Sequence, residues 1–342
     1  MKKMSQNIFD YATSELSQDA FISLMVSWYD NTEDSILKKL SIDFITQLYD
    51  GYNDLFLNNE LPILEITSIK IIQQHHKIDV YFEVTDKNGD IIPFIIEDKT
   101  WTEPHSNQLQ RYNDKIKSHS IKIFFKTGHL TEKDQKLTYE AQYMILDAKW
   151  IYDFLKPYIN KTSNVILHNF FDYLTREFYN KLYTESGNKK TLHDWDCNDL
   201  KEGFVQYELI KSIKNIILKP NENLIRYTKN GKLWDTWWTF LNIEKKTQFF
   251  IKIKRIGKKG NESYRLRLIE YSTSTDKQMN SEICGNIITS LSDTDIKLTK
   301  NPRFKAKETE IAYLEMCDGE LEKYADDFAI FIQKFIEKSN GI

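Results

Sequence analysis

The sequence predicts an α/β fold: a mixed central sheet flanked by helices, followed by a C-terminal α+β domain. Three observations predict it. Residues 7–29 place Ile8, Phe9, Ala12, Leu16, Phe21, Leu24, Met25 and Trp28 at helical spacing. Over 64–73, 77–85 and 91–100 the apolar period drops to two and β-branched residues dominate. A polar stretch at 184–199 then separates this half from a second run of strands and helices.

Taken in order, the first half reads as helices at 7–29 and 35–49, then three strands at 64–73, 77–85 and 91–100. The link between the last two, DKNGD, carries the Asn-Gly pair of a tight hairpin turn. A helix over 106–117, strands at 121–127 and 142–148, and helices at 150–157 and 164–185 complete a domain of residues 1–185. A meander followed by a crossover helix and further strands gives a mixed sheet. The second domain, 199–342, reads as a helix at 199–218, strands at 232–242, 247–256 and 263–271, a helix at 277–291, a strand at 308–316 and a helix at 319–338.

The chain has 342 residues, 41% of them hydrophobic and 13% aromatic, which fills two cores and excludes a disordered polymer. A formal charge of −3 means that any nucleic-acid partner must be met by a local patch. Cys197, Cys284 and Cys317 are widely spaced and odd in number, which fits a reduced, cytoplasmic protein and excludes a thiolate zinc site. The N-terminal residues lack the apolar core of a signal peptide, and no long apolar run predicts a membrane span.

The chemistry concentrates in KIDVYFEVTDKNGDIIPFIIEDKTWTEPHSNQLQRY, residues 77–112. Asp79 is expected mid-strand, where a carboxylate is unfavourable unless it is solvated, paired with a lysine or bound to metal. Glu97 and Lys99 are two apart on the next strand and so share a face, while Asp98 points the other way. Two carboxylates and an ammonium at one end of a hairpin can hold a hard divalent cation and activate water against a phosphodiester. Asp79 and Glu97 would supply metal oxygens, with the Asp98 carbonyl as a third. Lys99 would position the water or neutralise developing charge. Gln108 and Tyr112, four apart, share a helix face. Gln108 would reach the site, and Tyr112 would either contact nucleic acid or pack at the core edge. His105 is either a phosphate contact or a loop residue. His75 and His76 are adjacent and read as surface or edge residues.

This segment resembles the PD-(D/E)XK nuclease superfamily, in the branch whose E-x-K strand is followed by a Q-L-x-x-Y helix. The resemblance covers residues 8–150 and is specific over 77–112. It implies a restriction-endonuclease-like core and a Mg²⁺- or Mn²⁺-dependent nuclease, with DNA as the expected substrate. Asp79 takes the position of the motif's first Asp, and Glu97 and Lys99 those of the E-x-K pair. Glu15, in SELSQDAF, matches an additional acidic residue on the first helix; a surface glutamate is its plainer reading. Two departures stand out: Ile78 where the motif has Pro, and Asp98 where the central residue is usually neutral.

In the second domain, FFIKIKRI and SYRLRLIEY alternate apolar with basic residues. Paired as a hairpin, they would put Lys252, Lys254, Arg265 and Arg267 on one face, near Trp234, Trp237 and Trp238. That face is either a nucleic-acid platform or the solvated side of an amphipathic sheet. The expected function is a nuclease of restriction, repair or anti-phage defence, and a homodimer would supply the two sites that double-strand cleavage needs. The alternatives are a catalytically silent binding module, or a nuclease gated by a ligand of the C-terminal domain.

Overall fold

In the computed structural model, residues 7–11, 14–73, 75–104, 107–116, 119–217, 226–230, 234–241, 248–258, 261–271, 285, 295–299 and 309–340 are described. The chain divides into two units, Met1–Lys189 and Lys190–Ile342.

In the first unit, strands β1 (Ile66–Ile71), β2 (Val80–Asp86), β3 (Ile91–Lys99), β4 (Ile121–Lys126) and β5 (Met144–Asp147) lie in that order in one sheet. β1, β2 and β3 are antiparallel; β3, β4 and β5 are parallel. The mixed sheet therefore follows from a three-strand antiparallel meander and two crossovers. At the hairpin turn, the Asp86 carboxylate accepts the backbone N–H groups of Asn88 (2.8 Å) and Asp90 (2.9 Å). Gly89 there takes φ +86°, a conformation that favours glycine.

Helix α1 (Ser14–Ser27) packs on β1 and β3, and α2 (Ser35–Phe56) packs beside it and on β4 and β5. Asp34 caps α2 by accepting the Ile36 N–H at 2.8 Å. The β3–β4 crossover carries α3 (Gln108–Lys115), and the β4–β5 crossover carries α4 (Glu132–Glu140). On the α3 side of the sheet, Leu109 and Tyr112 pack with Ile78, Tyr81, Ile95, Phe124, Ala141 and Tyr143. After β5 come α5 (Ala148–Ile159) and α6 (Val165–Leu174), which runs through a π-turn at Thr175–Tyr179 into α7 (Asn180–Leu182).

The second unit has α8 (Gly203–Ile217) and α9 (Leu321–Asn340) packed together. Its strands are β6 (Arg226–Asn230), β7 (Trp234–Leu241), β8 (Gln248–Lys258), β9 (Asn261–Tyr271), β10 (Lys297–Leu298) and β11 (Thr309–Met316). They form an antiparallel sheet in the order β10-β11-β9-β8-β7-β6. The expected helix at 277–291 lies almost wholly outside the described residues. Among the described residues, no helix is long and apolar enough to cross a membrane.

Helix α4 is not among the elements expected from the apolar pattern, because its residues EKDQKLTYE carry no apolar stripe. Its anchor is polar. Asp134 closes a capping box with Thr131 and forms a fully buried ion pair with Lys126 of β4. Burial pulls the Lys126 ammonium below its usual value, and Asp134 opposes that pull. Removing one member would strand the other charge in the core, at a cost of about 3–5 kcal/mol. Asp134→Ala is therefore expected to lower the urea midpoint strongly, and Asp134→Ala with Lys126→Met to recover much of the loss.

Candidate active site

The register of the β2–β3 hairpin pairs Val80 with Ile96, which brings Asp79 alongside Glu97 at the hairpin's open end. Asp79 is not mid-strand as the alternation suggests. It occupies a bend just before β2. The chain reaches that bend through His76 (φ +53°) and Lys77 (φ +65°), two consecutive non-glycine residues in the left-handed region. Several contacts hold this turn. The Tyr112 hydroxyl donates to the Lys77 carbonyl (2.7 Å), the Ile78 N–H donates to the His75 carbonyl (3.0 Å), and the His75 ring stacks on Tyr81.

Three oxygens then converge on one ammonium. Lys99 Nζ donates to the Asp98 carbonyl at 2.6 Å and to Asp79 Oδ2 at 3.4 Å, and forms an ion pair with Glu97 Oε1. Asp79 Oδ2 also accepts the Asp98 backbone N–H at 2.9 Å, which ties the bend to β3. The Glu97 side chain is 0% exposed and Asp79 is 26% exposed, so the cluster opens to solvent on the Asp79 side. Glu97 Oε2 is buried without a hydrogen-bond donor. Burial, then the Asp79 charge, pushes the Glu97 carboxyl up to about 8, against the pull of Lys99. Burial of Lys99 favours the neutral amine, but Glu97 and Asp79 outweigh it and hold the ammonium above its usual value.

The Asp98 side chain faces the other way, as alternation requires. Gln18 of α1 donates to its Oδ1 at 2.7 Å, and Thr127 in turn donates to Gln18 Oε1. Asp98 therefore offers the site its carbonyl and not its carboxylate. Asp19, which no motif singles out, sits beside Asp98. Burial, then Asp79, pushes the Asp19 carboxyl up to about 7, and its bond with Asp98 opposes this. The signal for Asp19 was its spacing: it lies four residues after Glu15 on one face of α1. Glu15 itself accepts from the Thr102 hydroxyl at 2.7 Å and the Thr100 N–H at 3.4 Å, fixing the chain where it leaves β3. Among the described residues, no group of three or more His, Cys, Asp or Glu side chains is placed to hold a metal. The oxygens that fit a hard cation are two carboxylates and a backbone carbonyl.

Gln108 donates to the Tyr112 hydroxyl at 3.0 Å, and Tyr112 is buried in the core under α3. Tyr112 is thus a support for the turn before Asp79, not a surface contact for nucleic acid. His105 lies outside the described residues.

In the second unit, Lys252 faces Arg267 and Lys254 faces Arg265 across β8 and β9. They share a face as expected, but of the four only Lys254 is exposed, so that face is not an open basic stripe. Lys252 is buried, Arg265 donates to Glu315 at 2.6 Å, and Arg267 forms an ion pair with Glu310. The neutralising acids come from β11. Trp234, Trp237 and Trp238 lie on β7.

The raised Glu97 pKa has a sign that can be measured. An unfolded glutamate titrates near 4.5 and folded Glu97 at about 8, so between these values the folded chain binds more protons. Stability from this group is therefore full below about pH 4.5 and falls as pH rises towards 8. Glu97→Gln is expected to flatten that fall. In EDTA its melting temperature would match wild type near pH 5 and exceed it by roughly 3–8 °C at pH 8.5. Parallel curves for the two proteins would refute the shift.

No protein-family model matches the chain, and neither a curated protein nor a solved structure matches it, so the reading of this site rests on its own geometry.

Proposed function

We propose that the first unit is a divalent-metal-dependent nuclease hydrolysing phosphodiester bonds, with DNA as the leading substrate. The observation that carries this reading is the convergence of Asp79 Oδ2, Glu97 Oε1 and the Asp98 carbonyl on one cationic group. Hard oxygens of this kind suit Mg²⁺ or Mn²⁺, and the donor-less Glu97 Oε2 offers a further ligand atom. Asp79, Glu97 and the Asp98 carbonyl would hold the ion. When bound, it supplies a Lewis acid and lowers the pKa of water.

The remaining chemistry belongs to the side chains. Lys99 stays cationic through any working pH, so it orients the attacking water and stabilises charge that develops on the phosphate. Without the ion, its ammonium rests on the same oxygens, so the ion would have to share them with Lys99. Tyr112, backed by Gln108, holds the Lys77 carbonyl and thereby the approach of Asp79. Glu15 anchors Thr100 and Thr102 just beyond Lys99. Restriction or anti-phage defence is a setting that suits such an enzyme.

Cleavage of linear and circular, single- and double-stranded DNA and of RNA, with Mg²⁺ or Mn²⁺, tests the reading. Asp79→Asn, Glu97→Gln and Lys99→Ala should each lose roughly 100-fold or more in rate, and EDTA should abolish cutting. No cutting of any substrate by the wild-type protein would sink the proposal and leave a silent binding module.

A pH profile adds a second check. Binding of the ion requires ionised Glu97, so activity should rise through about pH 8 at low Mg²⁺. Raising Mg²⁺ should move that rise to lower pH; a profile insensitive to Mg²⁺ would exclude Glu97 as a ligand.

A further inference from the structure

We infer that a cleft at the end of the first sheet remote from Lys99 binds a small organic anion with an apolar body, and that Lys122 is its counter-charge. The cleft takes in Ile92 near the start of β3, about 23 Å of strand away from Lys99 at its end. It shares no residue with the candidate active site, so the nuclease reading can fail without touching it.

The cleft has a volume of about 330 Å³. That falls within the range of roughly 300–1,000 Å³ that small-molecule sites occupy, and is about ten times a single water's share of the liquid. Much of its wall is apolar. Leu57 and Leu61 come from the segment after α2, Ile92 and Ile121 from the starts of β3 and β4, and Ile116 from the end of α3.

Three polar side chains also line it, and each lacks a protein partner of the kind its chemistry calls for. Lys122 is half-buried on β4, with Tyr143 below it; its Nζ stands 6.0 Å from that ring's centroid. Burial pulls the ammonium below its usual value, and no acid among the described residues opposes the pull. Lys126, four residues on and on the same face of β4, has Asp134 for exactly that purpose.

Asn113, in the last turn of α3, supplies an acceptor. Its Nδ2 donates to the Ala141 carbonyl at 3.0 Å, which fixes the amide and leaves Oδ1 buried without a donor. Buried acceptors are nearly always satisfied, so this one calls for a donor from outside the chain. Tyr52 of α2 supplies a hydroxyl. Burial holds it protonated, and it makes no hydrogen bond among the described residues, whereas neighbouring Tyr49 donates to the Pro62 carbonyl at 3.0 Å.

A cation, a hydroxyl and a buried acceptor around an apolar hollow define one ligand. Its head is a carboxylate, sulfonate or phosphate ester held by Lys122, with Tyr52 as a further donor. Its body is apolar, and it carries an N–H or O–H for Asn113 Oδ1. A neutral apolar molecule would leave the ammonium unpaired, and an inorganic anion would leave the walls wet.

The probe is anilinonaphthalene sulfonate, an apolar fluorophore with a sulfonate and an N–H; phenylnaphthylamine is the same body without the charge. Fluorescence titration of the full chain should show saturable binding of both. Lys122→Gln should weaken the sulfonate roughly tenfold and change the neutral probe less than about twofold. Leu61→Trp, which fills the cleft, should weaken both by roughly tenfold or more. Lys201→Gln, at an exposed position of the second unit, should change neither.

No sulfonate binding by the wild-type protein overturns the inference. So does equal loss of the two probes with Lys122→Gln, or a sulfonate affinity that ignores Lys122. Displacement of the bound sulfonate by octanoate or by phenyl phosphate tells a carboxylate head from a phosphate; displacement by neither overturns the site. Thermal melts verify folding. If a variant does not fold, a wild-type crystal soaked with the sulfonate decides: an oxygen about 3 Å from Lys122 Nζ supports the site, and a sulfonate bound elsewhere refutes it.

Discussion

The ammonium of Lys99 is the constraint on which the end of the first sheet depends. It touches the Glu97 carboxylate, the Asp79 carboxylate and the Asp98 carbonyl together. Two carboxylates this close repel each other, and burial of Glu97 adds a desolvation penalty of several kcal/mol. The lysine opposes both without cancelling them, which is why the Glu97 carboxyl still stands at about 8. The hairpin register, set at the Asn88-Gly89 turn, is what lets Asp79 meet Lys99, since it pairs Val80 with Ile96. The unusual turn before β2 serves the same meeting. Left-handed backbone at His76 and Lys77 costs on the order of 1–3 kcal/mol per residue. It is sustained by the Tyr112 hydroxyl on the Lys77 carbonyl.

How much of this was legible depended on whether the cause was local. The β2–β3 hairpin could be read because Asn88 and Gly89 specify the turn, and alternation then fixes which side chains meet. For the same reason, Glu97 and Lys99 on one face and Asp98 on the other followed directly from the two-residue period. The position of Asp79 was harder. Alternating apolar residues extend through Ile78, and nothing in their pattern reveals that the preceding residues turn left-handed. The helix α4 escaped because its buried residues are Asp134 and Thr138, held by a capping box and an ion pair. A hydrophobic period cannot register a polar anchor.

The second unit illustrates the limit of pairwise patterns. The basic face of β8 and β9 was visible in the sequence, but its charge state was not. Glu310 and Glu315 lie 43 and 50 residues beyond Arg267 and Arg265. They become partners because β11 adds to the edge of β9, a pairing that no local signal specifies. Asp19 was hidden differently. Its i to i+4 relation to Glu15 is common on surface helices, and only the packing of α1 over Asp98 gives it meaning.

The charge balance at the end of β3 gives the proposed ion its physical rationale. Glu15, Asp19, Asp79, Glu97 and Asp98 gather around Lys99, while the neighbouring Lys126 is committed to Asp134. Proteins reduce such an excess by protonation or by binding cations, and the two faces of β3 suit different solutions. On the α1 side, Asp98 and Asp19 are both pushed above the usual carboxylate range by burial and lie against each other. That geometry suits a proton held between two acids. On the α3 side, Asp79 remains partly exposed beside buried Glu97, with a backbone carbonyl in reach of the same point. That geometry suits a hydrated divalent ion, which needs several oxygens and an approach from solvent. Asp79 belongs to both balances, because its charge raises Glu97, Asp19 and Asp98 alike. A cation bound at Asp79 would therefore lower the proton affinity of acids on both faces, linking the proposed catalytic centre to the packing of α1.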